Sequence, residues 1–281
     1  MPVSDSAIER VREFWNRRPC NVRHSKKPAG TKEYFDEVEH RKYFVEPHIP
    51  GFADFQRWKG KRVLEIGCGI GTDTVNFARH GAWITAVDLS EKSLEIASKR
   101  AAVYGLEDRI RFFHADAEEL SRFVTVEPYD LVYSFGVIHH TPGPERVVRQ
   151  IRSYLPPGGT VKIMVYHRFS WKALWILLVY GRGQFWKAGE IIARYSEAQE
   201  GSPVTYTYTP LEIGRLLKEH GFRVVETRVE HIFPYRIPDY TQHRYVKVWY
   251  FRWMPQRFFR YLEKRLGWHL CVTAVREEGE S

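Results

Sequence analysis

The chain of 281 residues is 43% hydrophobic, which is enough to bury one sizeable core and leaves room for segments added to a single domain. Lys and Arg outnumber Asp and Glu by 43 to 34, and 15% of the residues are aromatic, a combination that suits an anionic partner or a membrane surface. The three cysteines form no CxxC pair, so neither a disulfide framework nor a structural zinc site is expected.

The N-terminal sequence MPVSDSAIERVREFW is polar where a signal peptide would be apolar. No stretch reaches the ~18 apolar residues that a membrane span needs. Because the cysteine usage is also typical of a reducing compartment, we expect a soluble, cytoplasmic protein.

From Arg62 onward, short apolar runs alternate with amphipathic stretches of helical length. The runs RVLEIG, WITAVDL, IRFFHAD, YDLVYSF and TVKIMVYH alternate with helical stretches such as TDTVNFARHG, SEKSLEIASKRAAVYG and PERVVRQIRSYL, and the later runs FRVVETRVEHIF and HLCVTAVRE make seven. Apolar runs separated by helices indicate repeated βα units. We therefore predict a doubly wound α/β fold with a mostly parallel, seven-stranded sheet.

Three regions do not follow this alternation: residues 1–61, residues 167–209 and residues 234–268. We predict that residues 1–61 form an N-terminal helical lid. Residues 62–281 then form the main domain, and the other two regions are insertions that supply pocket walls.

A glycine-rich turn follows the first predicted strand, where a ligand can approach bare backbone beside the amides of the next helix. Gly67, Gly69 and Gly71 lie two residues apart and Glu65 precedes them, whereas dinucleotide sites use the spacing GxGxxG. The chain also lacks the GKS or GKT of a phosphate-binding loop. The turn therefore argues against a nicotinamide dinucleotide or a P-loop nucleotide as the ligand.

This ExGxGxG turn, with Asp88 closing the second strand, resembles the class I S-adenosylmethionine (SAM)-dependent methyltransferases, in particular their small-molecule, type 11-like branch. Asp130, the pair Ser134 and Phe135, and the LPPGG turn before the fifth strand continue the resemblance, which covers residues 62–166 without a gap. It implies the Rossmann-like methyltransferase fold, SAM as the cofactor and methyl transfer as the reaction.

The resemblance also implies roles for individual residues. Gly67 and Gly69 admit the methionine part of SAM, and the Asp88 carboxylate accepts both ribose hydroxyls. Asp116 contacts the adenine amino group, although helix capping is an alternative role for it. Ser90 is better placed than Asp88 to cap the following helix. The predicted cofactor-binding residues are Tyr34, Glu65, Gly67, Gly69, Gly71, Asp73, Asp88, Leu89, Asp116, Ala117, Ser134 and Phe135.

The N-terminal segment is patterned like a lid. Ile8, Val11 and Trp15 share one face of an amphipathic helix that could lie over the cofactor or simply pack on the domain. Tyr34 occupies the place where related enzymes have an aromatic residue that covers SAM or touches its carboxylate.

Methyl transfer from a sulfonium needs orientation and exclusion of water, and it needs a base only if the nucleophile arrives protonated. His140, Tyr166 and His167 lie near strand ends and are the candidates for that role. The adjacent pair His139 and His140 could suggest a metal. Neighbouring side chains diverge and no acidic residues accompany them at ligand spacing, so no metal is expected.

The insertion at residues 234–268 is both basic and aromatic, with eight Lys or Arg, two acids and 11 aromatic residues. It could form pocket walls, or it could contact a membrane surface together with the apolar stretch at 169–186. Interleaving of basic and aromatic residues favours pocket walls, because membrane-surface helices segregate the two. Tyr235, His243, Arg244 and Tyr245 are the predicted acceptor-binding residues.

The function predicted from the sequence is methyl transfer from SAM to the O, N, S or C atom of a small or lipid-like molecule. Two alternatives are an RNA methyltransferase, suggested by the basic composition, and a non-catalytic SAM-binding protein. Strand four lacks the Asn/Asp-Pro-Pro-aromatic cluster of amino-methylating DNA enzymes, and no appended RNA-binding module is recognisable, so nucleic acid is not expected as the substrate.

Overall fold

A computed structural model describes residues 3–196 and 202–278. Part of the predicted insertion 167–209, residues 197–201, lies outside the described residues, as do residues 1–2 and 279–281. The described chain contains a seven-stranded sheet whose strands are β1 Arg62–Ile66, β2 Trp83–Asp88, β3 Ile110–His114, β4 Leu131–Phe135, β5 Thr160–Tyr166, β6 Phe222–Glu230 and β7 His269–Arg276.

The strands are ordered β3-β2-β1-β4-β5-β7-β6, and β7 alone runs antiparallel to its neighbours. The predicted doubly wound, mostly parallel sheet is therefore confirmed. The described helices are α1 Val3–Arg17, α2 Lys32–Val45, α3 His48–Ala53, α4 Thr72–Arg79, α5 Glu91–Val103, α6 Pro144–Tyr154, α7 Trp171–Tyr180, α8 Ala188–Ser196, α9 Pro210–Glu219, α10 Ile237–Thr241, α11 Trp249–Arg252 and α12 Gln256–Leu266.

The sheet is apolar on both faces because helices cover both. Alternation along each strand sends neighbouring residues to opposite sides. Val63 and Leu131 pack in one core cluster, whereas Leu64 and Val132 pack in the other. This is why the strands read as continuous apolar runs in the sequence rather than as alternating ones.

Local signals fix where several helices begin. The Ser90 hydroxyl accepts the Ser93 amide at the start of α5, as predicted. Thr209 and Glu212 form a reciprocal capping box at the start of α9. Pro144 opens α6, where its fixed φ suits the first helical turn.

The fold brings six strand ends to a single edge of the sheet. β1 to β5 and β6 end there, and β7 begins there, since Glu230 and Tyr166 both pair with His269. Helices α1 to α3 precede the sheet, α7 and α8 follow β5, and α10 to α12 connect β6 to β7. Among the described residues, no helix is both long and apolar enough to cross a bilayer.

Candidate functional site

A cavity of about 430 Å³ lies over the edge where the parallel strands end. One half is lined by the ends of β1, β2 and β3, and we call it the cofactor half. The other half is lined by the ends of β5 and β6, the start of β7 and parts of the N-terminal segment and both insertions, and we call it the acceptor half. Ligands of open α/β sheets bind at this edge, so the position itself favours a binding site.

The glycine turn borders the cofactor half, and each glycine there has a positive φ. A Cβ at Gly67 would lie 2.0 Å from Val137 Cγ2, and one at Gly71 would lie 3.0 Å from Ala97 Cβ on α5. A Cβ at Gly69 would meet nothing within 4 Å, and Gly69 lines the cavity. The three glycines thus differ: two permit close packing of the protein on itself, and Gly69 leaves room for a ligand.

Asp88 closes β2 beside this turn and lines the cavity. Its Oδ2 accepts the Gly69 amide at 2.8 Å and its Oδ1 accepts the Ser90 amide at 2.8 Å. Burial raises the pKa of Asp88, although the two amides oppose the shift. The carboxylate is therefore held in a fixed orientation at the strand end, where it can accept further donors from a ligand.

Asp116, Ala117 and Leu89, all predicted cofactor-binding residues, line the same half of the cavity. Asp116 Oδ1 also accepts the Glu118 amide at 2.8 Å, so its side chain caps the short helix that follows β3. Burial raises the pKa of Asp116. Capping and ligand contact are compatible, because one oxygen makes the cap while the residue borders the cavity.

Glu65 and Asp73 do not line the cavity but lie buried beneath it. Glu65 accepts the Thr74 hydroxyl at 2.6 Å, and Asp73 accepts Lys42 Nζ at 2.7 Å. Burial, followed by the charge of Asp73, raises the pKa of Glu65 to about 8. Burial works to lower the pKa of Lys42, but the Asp73 carboxylate outweighs it and the pKa ends above its ordinary value.

This network has a consequence for the cofactor half, since Lys42 itself lines the cavity. Its ammonium is oriented by Asp73 and lies 5.9 Å from the centre of the Phe135 ring, which also borders the cavity. Lys42 is thus a cation fixed at the cavity wall, and the sequence analysis did not single it out.

Three other predicted cofactor residues are placed in the protein interior. Tyr34 is buried and donates its hydroxyl to the Val22 carbonyl at 2.8 Å. Ser134 is fully buried within β4, and Gly71 packs on α5. None of the three lines the cavity, so they support its walls from behind.

Helix α1 closes one side of the cofactor half. Ile8, Val11 and Trp15 all line the cavity. The helix is joined to the start of α5 because Asn16 Oδ1 accepts the Ser90 hydroxyl at 2.9 Å and the Lys92 amide at 3.3 Å. The predicted amphipathic face therefore points at the ligand space.

Of the three predicted base candidates, His140 and Tyr166 line the cavity and His167 does not. His140 Nδ1 lies 2.9 Å from the Val204 carbonyl, so this nitrogen carries a proton and donates it to the carbonyl. In the neutral ring, Nε2 is then the acceptor nitrogen. His167 Nδ1 bonds to the Gly267 carbonyl at 3.1 Å, so its ring fastens the end of β5 to the last insertion.

The predicted acceptor-binding residues of the last insertion lie away from the cavity. The rings of Tyr235 and Tyr245 pack on Phe44 of α2, with centroids 6.4 and 4.6 Å away. Arg244 pairs with Asp239 at 2.9 Å and is 60% exposed. His243 lies 3.9 Å from Glu37.

The insertion instead presents Phe233 and Tyr240 to the cavity. The predicted acceptor-binding residues lie outside the cavity because the segment folds back on α2. The Arg41 guanidinium of α2 stacks 4.2 Å from the centre of the Tyr240 ring. Arg41 also donates a hydrogen bond to the Tyr240 carbonyl, although the two residues are 199 positions apart in the chain. Contacts between such distant residues leave no local pattern in the sequence.

Several polar residues that line the cavity were not predicted from the sequence, among them Lys42, Glu46, His231 and His269. His231 follows β6 directly and His269 begins β7. Both positions could have been found by asking which polar residues flank predicted strand ends. No comparable signal marks Glu46, which follows α2.

The chain is similar to known proteins both in sequence and in fold. A family described as a methyltransferase domain matches residues 38–227, which is more than half of the chain. The ubiquinone biosynthesis O-methyltransferase of Aeromonas salmonicida is 36% identical over 109 residues, which make up 39% of this chain and 44% of that protein. The chain therefore aligns with less than half the length of this relative.

Two solved structures share the fold. The magnesium protoporphyrin IX methyltransferase from Synechocystis with bound SAM has a TM-score of 0.56 at 15% identity, covering 96% of this chain and 97% of its own. The [4+2]-cyclase SpnF has a TM-score of 0.57 at 18% identity, covering 99% of this chain and 96% of its own. One is named a methyltransferase and the other a cyclase, so the fold alone does not define the reaction.

Proposed function

This chain belongs to the methyltransferase-domain family, and we propose that it transfers the methyl group of SAM to a small or lipid-like acceptor. S-adenosylhomocysteine is the second product. The observation that carries the proposal is the Asp88 carboxylate held by the Gly69 and Ser90 amides, inside a cavity that continues along the sheet edge into an aromatic and histidine-rich half.

In this proposal SAM occupies the cofactor half. The ribose hydroxyls donate to Asp88, and the adenine lies between Leu89 and the Asp116–Ala117 turn. The methionine part lies over Gly69, where no protein atom fills the space of a side chain. The Lys42 ammonium provides an ionic partner for the methionine carboxylate.

The methyl carbon then faces the acceptor half, over the ends of β4 and β5. Transfer is an in-line displacement: an acceptor lone pair attacks the methyl carbon, and the carbon–sulfur bond breaks onto sulfur. Tyr166, Phe233 and Trp268 wall this half with aromatic surface and exclude water. His140 lines the boundary of the two halves and is the group we assign to accept a proton, through Nε2.

The acceptor atom in the proposal is an oxygen. The support is that the relative from Aeromonas salmonicida is named an O-methyltransferase and matches 39% of this chain. Neither RNA methylation nor a non-catalytic role, the two alternatives left open by the sequence, is favoured by the comparisons or by the cavity, whose acceptor half is lined by aromatic and histidine side chains.

Incubation with methyl-labelled SAM and fractionated bacterial extract tests the activity. We expect label to enter low-molecular-weight or organic-soluble products, and His140→Gln to retain SAM binding while losing turnover. Label in RNA, or SAM binding without any transfer, would contradict the proposal.

We further propose that the protein contacts an anionic membrane surface through a patch formed by α7, α11 and the residues around them. Leu178 on α7 is 68% exposed, and Trp249 and Trp253 are 76% and 79% exposed. The Trp171 ring lies 5.7 Å from that of Phe251, so α7 and α11 are neighbours. Exposed tryptophans beside arginines such as Arg252 suit the headgroup region of anionic lipids.

Vesicle flotation tests the membrane contact. Wild-type protein should bind vesicles of phosphatidylcholine and phosphatidylglycerol but not phosphatidylcholine alone. The double variant Trp249→Ser, Trp253→Ser should bind at least about tenfold more weakly, the scale of one buried apolar side chain. Leu211→Ser is the matched control, because Leu211 is 85% exposed but lies on α9. Equal binding by the double variant would refute the patch.

The location we propose is the cytoplasm. Cys68 and Cys271 are buried thiols outside any disulfide. A reducing compartment agrees with that state.

A further inference from the structure

Three side chains with metal-binding atoms meet in the acceptor half of the cavity. One nitrogen each of His231 and His269 and one carboxylate oxygen of Glu46 all lie within 4.8 Å of one another. His269 Nε2 is 3.6 Å from Glu46 Oε1. Ligands placed ~2.1 Å from a tetrahedral ion stand roughly 3.4 Å apart, so this pair already has the required separation.

The two histidines are held by the sheet rather than by loops. Glu230, the residue before His231, pairs with His269 across β6 and β7. The Trp268 amide donates to the His231 carbonyl at 2.8 Å. His231 also has a φ of 70°, an uncommon backbone conformation for a residue with a side chain. A functional constraint is one reason for such a conformation to persist at a cavity wall.

A third histidine, His48, contacts the set from outside. His48 Nε2 lies 3.0 Å from His269 Nδ1, so the two nitrogens share a hydrogen bond. This bond uses Nδ1 of His269 and leaves the Nε2 nitrogen directed at Glu46. Metal-binding histidines typically have such a partner on the second nitrogen, because it fixes the tautomer and the ring orientation.

We propose that Glu46, His231 and His269 bind one divalent first-row transition-metal ion beside the site of methyl transfer. Two imidazoles and one carboxylate suit zinc, iron, cobalt or manganese, whereas magnesium and calcium prefer oxygen ligands alone. Three protein ligands leave coordination positions open. These positions face the cavity, since all three residues line it.

The ligand histidines are shielded from bulk water but open to the cavity. His231 and His269 are both buried, and both line the cavity. The Lys172 ammonium, another cavity residue, lies over the Trp268 ring, 4.6 Å from its centre.

The role of the ion rests on the proposed function. An acceptor hydroxyl bound at an open position loses its proton more easily, because the cation stabilises the oxyanion. The proton passes to His140 or to water, the oxygen lone pair attacks the methyl carbon of SAM, and the sulfonium leaves as a neutral thioether. No oxidant or reductant is needed, since the metal acts only as a Lewis acid.

Cobalt titration of chelator-treated protein, followed by visible absorption, tests the site with the metal alone. We expect one equivalent to bind with the ligand-field band of a low-coordinate site. Glu46→Gln and His231→Asn should each weaken binding by more than about 100-fold. The asparagine variant keeps a residue that tolerates positive φ, so the turn after β6 is preserved. His220→Ala, at the residue that follows α9 and outside the cavity, is the control and should bind cobalt like the wild type.

SAM calorimetry on the same samples separates this proposal from the previous one. Cobalt binding that is absent, or that is unchanged in Glu46→Gln and His231→Asn, overturns the metal site while normal SAM binding leaves the proposed function intact. Absence of SAM binding by the folded wild type overturns the proposed function, and the cobalt result still decides the metal site. Circular dichroism of each variant verifies that it is folded.

Discussion

The cofactor half and the acceptor half of the cavity share a sheet edge but are built in opposite ways. The cofactor half comes from three consecutive strand ends, between residues 66 and 117, with α1 as its outer wall. The acceptor half comes from the end of α2, the end of β5, α7 and the two ends of the last insertion, between residues 45 and 269. Backbone glycines and two carboxylates, Asp88 and Asp116, define the first half, whereas aromatic and histidine side chains define the second.

The difference indicates how this fold can keep one cofactor and vary its acceptor. Residues of the cofactor half are also part of the sheet's own packing, as Gly67 is against Val137. Residues of the acceptor half belong largely to segments outside the alternating strands and helices. Substitution in the first half should therefore affect stability and SAM together, and substitution in the second should affect the acceptor alone.

The largest effect is expected for Gly67→Ala. The new Cβ would lie 2.0 Å from Val137 Cγ2 at a φ of +77°, so unfolding should become easier by about 2–4 kcal/mol. Gly69→Ala is the control in the same turn, because its Cβ meets no protein atom within 4 Å; it should lose SAM affinity with a smaller loss of stability. Urea titration and SAM calorimetry distinguish the two, and equal stability losses would contradict the assignment.

Asp88→Ala should weaken SAM binding by roughly 1.5–3 kcal/mol, the contribution of a hydrogen bond to a charged group. Asp130→Ala is matched to it, since Asp130 also accepts a backbone amide, that of Arg62 at 2.9 Å, but at the opposite edge of the sheet. Calorimetry should find SAM affinity unchanged in the second variant. A folded Asp88→Ala protein with wild-type affinity for SAM would show that Asp88 does not bind the cofactor.

The buried histidines His231, in the acceptor half, and His48, beside it, predict a pH dependence of stability. Burial lowers the pKa of His231 to about 3 and that of His48 to about 4, both below the ordinary 6.5. Below pH 6.5 the unfolded chain takes up these protons and the folded chain does not. Stability present above pH 6.5 is therefore lost as the pH falls toward 4, by up to about 1.4 kcal/mol per pH unit for each histidine.

Urea unfolding of metal-free protein between about pH 7 and pH 5 measures this slope. His231→Asn should reduce this slope by the contribution of one histidine. A slope that does not depend on His231 would show that the buried cluster is not what titrates.

The smallest effect is expected for Arg244→Ala. Arg244 is 60% exposed and pairs with Asp239 outside the cavity, so stability should change by less than about 1 kcal/mol and turnover should be retained. Phe233→Ala, from the same insertion but at the cavity wall, should raise the KM for the acceptor and leave SAM affinity unchanged. Loss of turnover in a stable Arg244→Ala protein would show that Arg244 acts in the acceptor site, as the sequence predicts.

These comparisons also explain what the sequence could predict. Seven apolar runs predicted the sheet, and the run from Glu65 to Gly71 with Asp88 predicted its ligand edge, because both signals are local and tied to backbone geometry. Tyr34 was expected beside SAM and lies behind the wall instead. Its position depends on how α2 packs, and residue spacing does not report that.

The acceptor half was less predictable for the same physical reason. Glu46, His231 and His269 become neighbours only after β6 pairs with β7 and α2 packs over their ends. His139 and His140 are adjacent in the sequence but lie in different surroundings. His140 lines the cavity, and His139 is fully buried outside its lining.

The position of helix α1 bears on how the cofactor is exchanged after each reaction. It forms the outer wall of the cofactor half, yet the side-chain bonds from Asn16 to Ser90 and Lys92 tie it to α5. Two such bonds contribute on the order of 1 kcal/mol each. Because α1 covers the cofactor half from outside, we expect spent cofactor to leave on the side of α1, so that renewal of the methyl donor requires no passage through the acceptor half.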